Sequence, residues 1–208
     1  MNNNLRGFTI DNWNTYFYIK NHTETEPCDF FLKEISKHNH LTNLKCLDIG
    51  CGIGLESKYM IDNKWNVDAI DPIVPKEYLT NNINSSSFHF IQGDICDPNI
   101  LNMLDTNYDI IIAFSSMPYF SGKIDAIKST IDQIYQRLKV GGVFIGSFLG
   151  DKHDWVGKRD AVFLSMEEVL DMFNQFQINS IFTLYKKYEY AIEPYNYELH
   201  YVSVTKIK

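Results

Sequence analysis

The sequence predicts an α/β fold, namely a doubly wound, seven-stranded and mostly parallel sheet that closes with a C-terminal antiparallel hairpin. Three observations carry that prediction. Short apolar runs alternate with longer helical patterns between Leu44 and Phe148, and repeated strand–helix–strand units need crossovers and hence a largely parallel sheet. The first apolar run ends in glycines at alternate positions, Gly50, Gly52 and Gly54. Two β-rich segments, Ile178 to Tyr190 and Glu198 to Ile207, follow one another with no helix between them, and such strands pair antiparallel.

Taken in order, the first strand is Leu44 to Ile49, and a helix follows from Leu55 to about Asn63. The second strand, Asn66 to Ile70, ends at Asp71-Pro72, and the third, Phe88 to Ile91, ends at Gln92-Gly93-Asp94. Tyr108 to Phe114 is the most apolar run, as suits a strand covered on both faces. Ile124, Ile127, Ile131, Ile134 and Leu138 then recur every three or four residues and lay one apolar stripe along a helix. Lys139-Val-Gly-Gly142 stops that helix, and the fifth strand is Val143 to Phe148. Ser165-Met-Glu-Glu168 has the pattern of a capping box opening a helix to about Gln175. The polar stretch Asn81 to Ser87 is too short to divide domains. The organisation expected is therefore one domain over residues 1–208, with an N-terminal helical or lid segment at 1–40 and a Rossmann-like core at 41–208.

A chain of 208 residues closes such a core without metals or disulfides. Its formal charge of −7, with no basic run longer than Lys186-Lys187, argues against a nucleic-acid partner. The four cysteines form no Cys-x-x-Cys pair and have no histidines beside them at zinc-ligand spacing, so no metal site is expected. Met1 to Ile10 lacks the basic and apolar regions of a secretory signal, and no apolar run reaches membrane-spanning length. The expectation is a reduced, cytoplasmic protein without a membrane partner. The apolar stripes all have a core destination and give no oligomer signal.

The strongest functional signal is Asp48-Ile-Gly50-Cys-Gly52-Ile-Gly54. Alternate glycines after a buried strand let the backbone turn sharply and let a ligand approach the main chain. A nicotinamide-binding Gly-x-Gly-x-x-Gly would need its third glycine where Leu55 stands. A Gly-Lys-Ser/Thr phosphate cradle is absent. What remains resembles motif I of the class I S-adenosylmethionine-dependent methyltransferases. An acid at Asp48 can accept hydrogen bonds from that cofactor's ammonium group, whereas it would repel a pyrophosphate. Asp71, 17 residues beyond Gly54, stands where this topology places a partner for ribose hydroxyls. Asp94, after the third strand, is the residue that the resemblance assigns, with Ile95, to the adenine ring. All three acids fall at carboxyl ends of strands, where open α/β sheets bind ligands.

The resemblance extends along residues 11 to 208, and within the superfamily it is to the tellurite-resistance-type small-molecule methyltransferases. It is carried by Phe114-Ser-Ser-Met-Pro-Tyr-Phe120, Leu138 to Gly146, Gly150-Asp-Lys-His-Asp-Trp155, the helix start from Phe163, and the closing strand with His200. It implies S-adenosylmethionine as cofactor, released as S-adenosylhomocysteine. It implies cofactor contacts at Trp13, Tyr16, Asp48, Gly50, Cys51, Gly52, Gly54, Asp71, Pro72, Gly93, Asp94, Ile95, Phe114 and Ser115. Trp13 and Tyr16 match a Trp-x-x-Tyr segment that folds over the cofactor. Ser116-Met-Pro-Tyr119 faintly resembles the Asn/Asp-Pro-Pro-Tyr motif of amino-group methylation, but Ser116 and Met117 depart from it. The expectation is instead a cavity lined by Met117, Tyr119 and Phe120.

Methyl transfer demands alignment and exclusion of water more than any fixed catalytic residue. A thiolate or chalcogen oxyanion needs no base, while an amine or hydroxyl needs one within hydrogen-bond reach. Tyr119, Asp151, His153 and Glu193 stand near the expected mouth. His153 is the proton acceptor of choice because imidazole titrates near neutrality, and Tyr119 is the second catalytic candidate. The function expected is methyl transfer to a sulfur, nitrogen, oxygen or chalcogen nucleophile of a small molecule. The alternatives are a noncatalytic cofactor-binding module and an amino-group methyltransferase of protein or nucleic acid. An aminopropyl transferase on the same fold also stays open. A nicotinamide-dependent reductase is disfavoured by Leu55.

Overall fold

The structure, a computed structural model, describes residues 26–74, 76–80, 83–119, 123–188 and 195–208, and the backbone of two short strands at 4–5 and 8–9. Trp13, Tyr16, Phe120, Tyr190 and Glu193 lie outside the described residues. The two N-terminal strands, β1 (Asn4–Leu5) and β2 (Phe8–Thr9), pair antiparallel. The helix expected before the core is α1 (Asp29–Ile35), continued by a 3-10 turn over Ser36–His38.

β3 (Lys45–Ile49) is the strand about which the fold is arranged. On one side it pairs with β4 (Asn66–Asp71), which pairs with β5 (Phe88–Gln92). On the other it pairs with β6 (Tyr108–Ala113), which pairs with β7 (Leu138–Gly150). All these pairings are parallel, as the alternation of runs predicts. The chain thus winds outward from β3 in one direction and then, at β6, in the other, leaving a switch point between β3 and β6. Beyond β7 the sheet turns antiparallel, through β10 (Tyr195–Lys206) to the edge strand β9 (Phe176–Tyr188). The seven-strand path is the expected one. The two-residue β8 (Phe163–Leu164) adds an eighth strand, parallel to the end of β7.

Alternate strand residues face opposite sides, and both sides are covered. Leu47, Ile49, Ile111, Phe144 and Val202 face α5 (Ile124–Arg137), which buries Ile127, Ile131 and Ile134 as its stripe predicts. Cys46, Ile110, Ile112, Ile145 and Leu199 face α1 and α2 (Leu55–Asp62), which supply Phe31, Ile35 and Met60. Burial of each such side chain contributes about 1.5–3 kcal/mol.

The shorter elements follow their local chemistry. α3 (Lys76–Thr80) follows β4, and α4 (Pro98–Met103) opens with Asp97 accepting from the Asn99 amide at 2.8 Å. α6 (Met166–Asp171) has the predicted capping box, with Glu168 N donating to Ser165 Oγ and Ser165 N donating back to the Glu168 carboxylate. It is shorter than expected, because Phe173 and Phe176 turn into the core. α5 stops at Arg137, and residues 139–142 bulge out of the sheet before Val143 takes up regular pairing with Ile110. No helix among the described residues is long and apolar enough to cross a membrane.

Candidate active site

The glycine loop sits at the switch point, between the carboxyl end of β3 and the start of α2. Gly50, Gly52 and Gly54 have φ of +73°, +52° and +81°, the left-handed region that side chains disfavour. Gly50 and Cys51 both donate to the Ile70 carbonyl, at 2.7 and 3.0 Å, so the loop is stitched to β4. At Gly50 a second constraint applies: a Cβ there would fall 2.2 Å from Cβ of Ser116. Ser116 stands in the turn after β6 and donates its hydroxyl to the Ile49 carbonyl at 2.7 Å. The two loops that flank the switch point are therefore in direct contact.

Asp71 is 6% exposed and has a task that sequence reasoning did not assign. Its Oδ1 accepts from the amides of Ile73 and Val74, each at 2.8 Å, and its Oδ2 accepts from Gly52 N at 3.1 Å. The acid expected to hold ribose thus also pins the glycine loop to the end of β4, just before Pro72. No local signal distinguishes this role, because its partner Gly52 stands 19 residues away.

Asp48 is 3% exposed and accepts from Ser57 Oγ at 2.6 Å. Burial, reinforced by the negative charges of Glu56 and Asp71, pushes its carboxyl up to about 8. A cationic neighbour draws such a carboxyl into its charged form, whereas an anionic one holds it neutral. The floor of the loop thus fits a cofactor bearing an ammonium or sulfonium. Cys51, inside the loop, is buried, and its thiol is pushed well above the ordinary range by that burial.

Gly93 follows β5, and its amide donates to the Asp71 carbonyl at 3.1 Å. Ile100 fills the space that a Cβ at Gly93 would need. Asp94 is half-buried and accepts from the Cys96 amide at 2.9 Å, closing a tight turn, while Ile95 beside it is buried. Phe114 packs edge-on against Phe31 of α1, at 5.8 Å between centroids. Ser115 has φ of +52° and donates its amide to Ser147 Oγ at 2.9 Å. Asp48, Gly50, Cys51, Gly52, Gly54, Asp71, Pro72, Gly93, Asp94, Ile95, Phe114 and Ser115 thus all lie along the carboxyl ends of β3, β4, β5 and β6.

The acceptor side departs from expectation in two places. Met117 is fully buried among core residues under the sheet, so it packs the fold rather than lining an open cavity. Tyr119, in a 3-10 turn, is half-buried on the opposite face. His153 is not an open loop histidine, since it is 2% exposed. Its ring lies among Trp155, Tyr197, Phe163 and Tyr195, with centroids 4.7, 4.8, 5.8 and 6.1 Å away. Its Nδ1 accepts from the Trp155 amide at 3.1 Å, which places the proton of the neutral ring on Nε2. Burial holds its titration below the usual histidine range.

A second cluster escaped the sequence. Asp151 ends the turn from β7, while Glu198 and His200 are two apart on β10 and share a face, and the three come together in space. By contrast, a cleft of about 490 Å³ lined by Glu34, Lys37, His38, Asn179 and Thr205 opens at the amino end of the sheet, away from the glycine loop.

Comparison with known proteins agrees with this geometry. Residues 19–186 match the methyltransferase domain family, and the chain belongs to it: a class I, S-adenosylmethionine-dependent methyltransferase. Over 114 residues it is 31% identical to malonyl-[acyl-carrier protein] O-methyltransferase of Acetivibrio thermocellus, a match covering 52% of this chain and 37% of that protein. The chain therefore spans little more than a third of that relative. In three dimensions it is similar to TehB from Haemophilus influenzae, with a TM-score of 0.69 and 17% identity over 93% of this chain and 67% of the other. It is also similar to the N-methyltransferase NodS from Bradyrhizobium japonicum in complex with S-adenosyl-L-homocysteine, with a TM-score of 0.65 and 12% identity over 95% of this chain and all (100%) of the other.

Proposed function

We propose that this chain is a single methyltransferase domain that methylates a small molecule at a sulfur, nitrogen, oxygen or chalcogen nucleophile. The observation that carries the reading is the buried acid Asp48 beneath a glycine loop stitched to Asp71. S-Adenosylmethionine supplies an electrophilic methyl group on a sulfonium, open to in-line attack. The chain's own residues bind and orient. Asp48 takes the ammonium, the glycine amides border the amino-acid portion, Asp71 takes a ribose hydroxyl, and Asp94 with Ile95 borders the adenine.

A small acceptor is favoured over an amino-group clamp by the state of Ser116. Its hydroxyl is committed to the Ile49 carbonyl at 2.7 Å and is not directed at an incoming amine. The formal charge of −7 opposes a nucleic-acid acceptor. The engaged Nδ1 of His153 suits an acceptor that needs no base, such as a thiolate or a chalcogen oxyanion. Both relatives named for methyl transfer, the malonyl-[acyl-carrier protein] O-methyltransferase and the N-methyltransferase NodS, support the reaction class without fixing the nucleophile.

The test is turnover. Purified chain is given methyl-labelled S-adenosylmethionine with thiols, chalcogen oxyanions, small amines and carboxylic acids in turn. Labelled product from one small-molecule class, with S-adenosylhomocysteine formed in equal amount, is the result expected. Label transferred only to added protein or nucleic acid would reject the small-molecule reading.

A further inference from the structure

We infer that Asp151, Glu198 and His200 form a binding site for a divalent first-row metal ion of the zinc or manganese class. One carboxylate oxygen from each acid and one ring nitrogen of the histidine lie within 4.8 Å of one another. Ligands on a bound ion of this kind stand ~3–3.5 Å apart, given metal–ligand distances of ~2.0–2.2 Å. The exposed Asp151 side chain, at the end of a turn, is free to make up that difference.

Three features prepare the cluster for a cation. The first is a buried ring nitrogen: His200 is 2% exposed, and its Nε2 has no hydrogen-bond partner. Its other nitrogen, Nδ1, meets Thr183 Oγ1 at 3.0 Å. With Nδ1–H donating to that hydroxyl, the ring is fixed and the Nε2 lone pair is left for an ion, the arrangement found around metal-bound histidines. The second is Glu198, whose carboxylate is 2% exposed and held in place by the Lys152 amide at 2.6 Å and by the Tyr185 hydroxyl. The third is Gly150. A Cβ there would lie 2.2–2.3 Å from Cγ, Cδ and Oε2 of Glu198, so the glycine makes room for the carboxylate to turn inward.

One nitrogen and two carboxylate oxygens suit zinc, manganese or iron better than a calcium site built of oxygens alone. The cluster stands at the carboxyl end of β7, on the same rim as the glycine loop, with β10 three strands from β3 and so roughly 14 Å across the sheet. Three protein ligands leave coordination positions for water or for an oxygen-bearing acceptor.

The test needs neither S-adenosylmethionine nor turnover, so its failure leaves the methyl-transfer reading untouched. Tag-free, chelator-treated full chain is titrated with Zn²⁺ by calorimetry and with Co²⁺ by visible absorption. The result expected is saturable binding of one ion per chain, with Co²⁺ bands of a mixed nitrogen–oxygen site. Asp151→Asn, on an exposed turn and not expected to disturb folding, lowers the affinity at least about tenfold, and Thr183→Val lowers it about 10–100-fold. His200→Gln abolishes binding. No saturable binding by the wild-type chain, or equal affinity in wild type and Asp151→Asn, overturns the assignment.

Discussion

Gly50 and Ser116 occupy adjoining space at the switch point, close enough that a Cβ on Gly50 would stand 2.2 Å from that of Ser116. Gly50 follows β3 and Ser116 follows β6, so this one contact joins the loop proposed to hold the cofactor to the loop proposed to border the acceptor.

Gly50→Ala is expected to lose S-adenosylmethionine binding and to destabilise the chain by about 1–3 kcal/mol, since it adds a steric clash to a left-handed φ of +73°. Gly157→Ala is the control. Its φ is +71°, but nothing lies within 4 Å of the added Cβ. It should cost about 1 kcal/mol through backbone strain and leave cofactor affinity unchanged. Denaturant unfolding and calorimetric titration of both variants check the pair.

Asp71→Asn is expected to weaken cofactor binding and to lower stability together. The carboxylate accepts three backbone amides, and an amide side chain keeps only one acceptor oxygen. The loss of one such bond leaves a donor unpaired at a cost of about 1–3 kcal/mol. A variant with wild-type stability and tenfold weaker binding would assign Asp71 to the ligand alone.

Cofactor binding is expected to release protons near neutral pH. Asp48 is pushed up to about 8 by burial, so its carboxyl is protonated in the free chain below that pH. A carboxyl with a folded value above its unfolded one, about 3.9, contributes stability that fades as pH rises from about 4 to about 8. An ammonium beside it favours the carboxylate, so affinity for S-adenosylmethionine should rise with pH up to about 8. Titration at pH 7 in buffers of different ionisation enthalpy measures the released protons, and Asp48→Asn should abolish the dependence.

His153→Asn is expected to lower stability by about 1–3 kcal/mol, because it empties part of a closed aromatic cluster. Cofactor affinity should stay unchanged, since Trp155, Phe163, Tyr195 and Tyr197 surround the ring at the β7–β10 end of the sheet. A variant that keeps full stability but loses turnover would assign the ring to proton transfer instead.

What the sequence could show followed from locality. The strand before Gly50, the apolar run of β6 and the stripe along α5 each declare themselves through neighbours a few residues away, as does the Ser165 capping box. The antiparallel finish was readable from two β-rich segments without a helix between them. Features built from distant residues were not readable. The pinning of Gly52 by Asp71 and the contact of Gly50 with Ser116 depend on how strands are ordered in space. Asp151 meets Glu198 and His200 only because β7 and β10 pair, so no ligand spacing exists along the chain. The burial of Met117 and His153 was hidden for a different reason. Residues flanking a strand end resemble loop residues until the packing against them is known.

Calorimetric titration of the chain with S-adenosylmethionine, S-adenosylhomocysteine and NADH, for wild type and Asp71→Ala, tests the central claim most directly. The account predicts micromolar binding of both sulfur ligands, weakened at least about tenfold by the substitution, and no binding of NADH, since Leu55 stands where a nicotinamide-binding loop needs its third glycine. Tight binding of NADH with no heat from the sulfur ligands would contradict it.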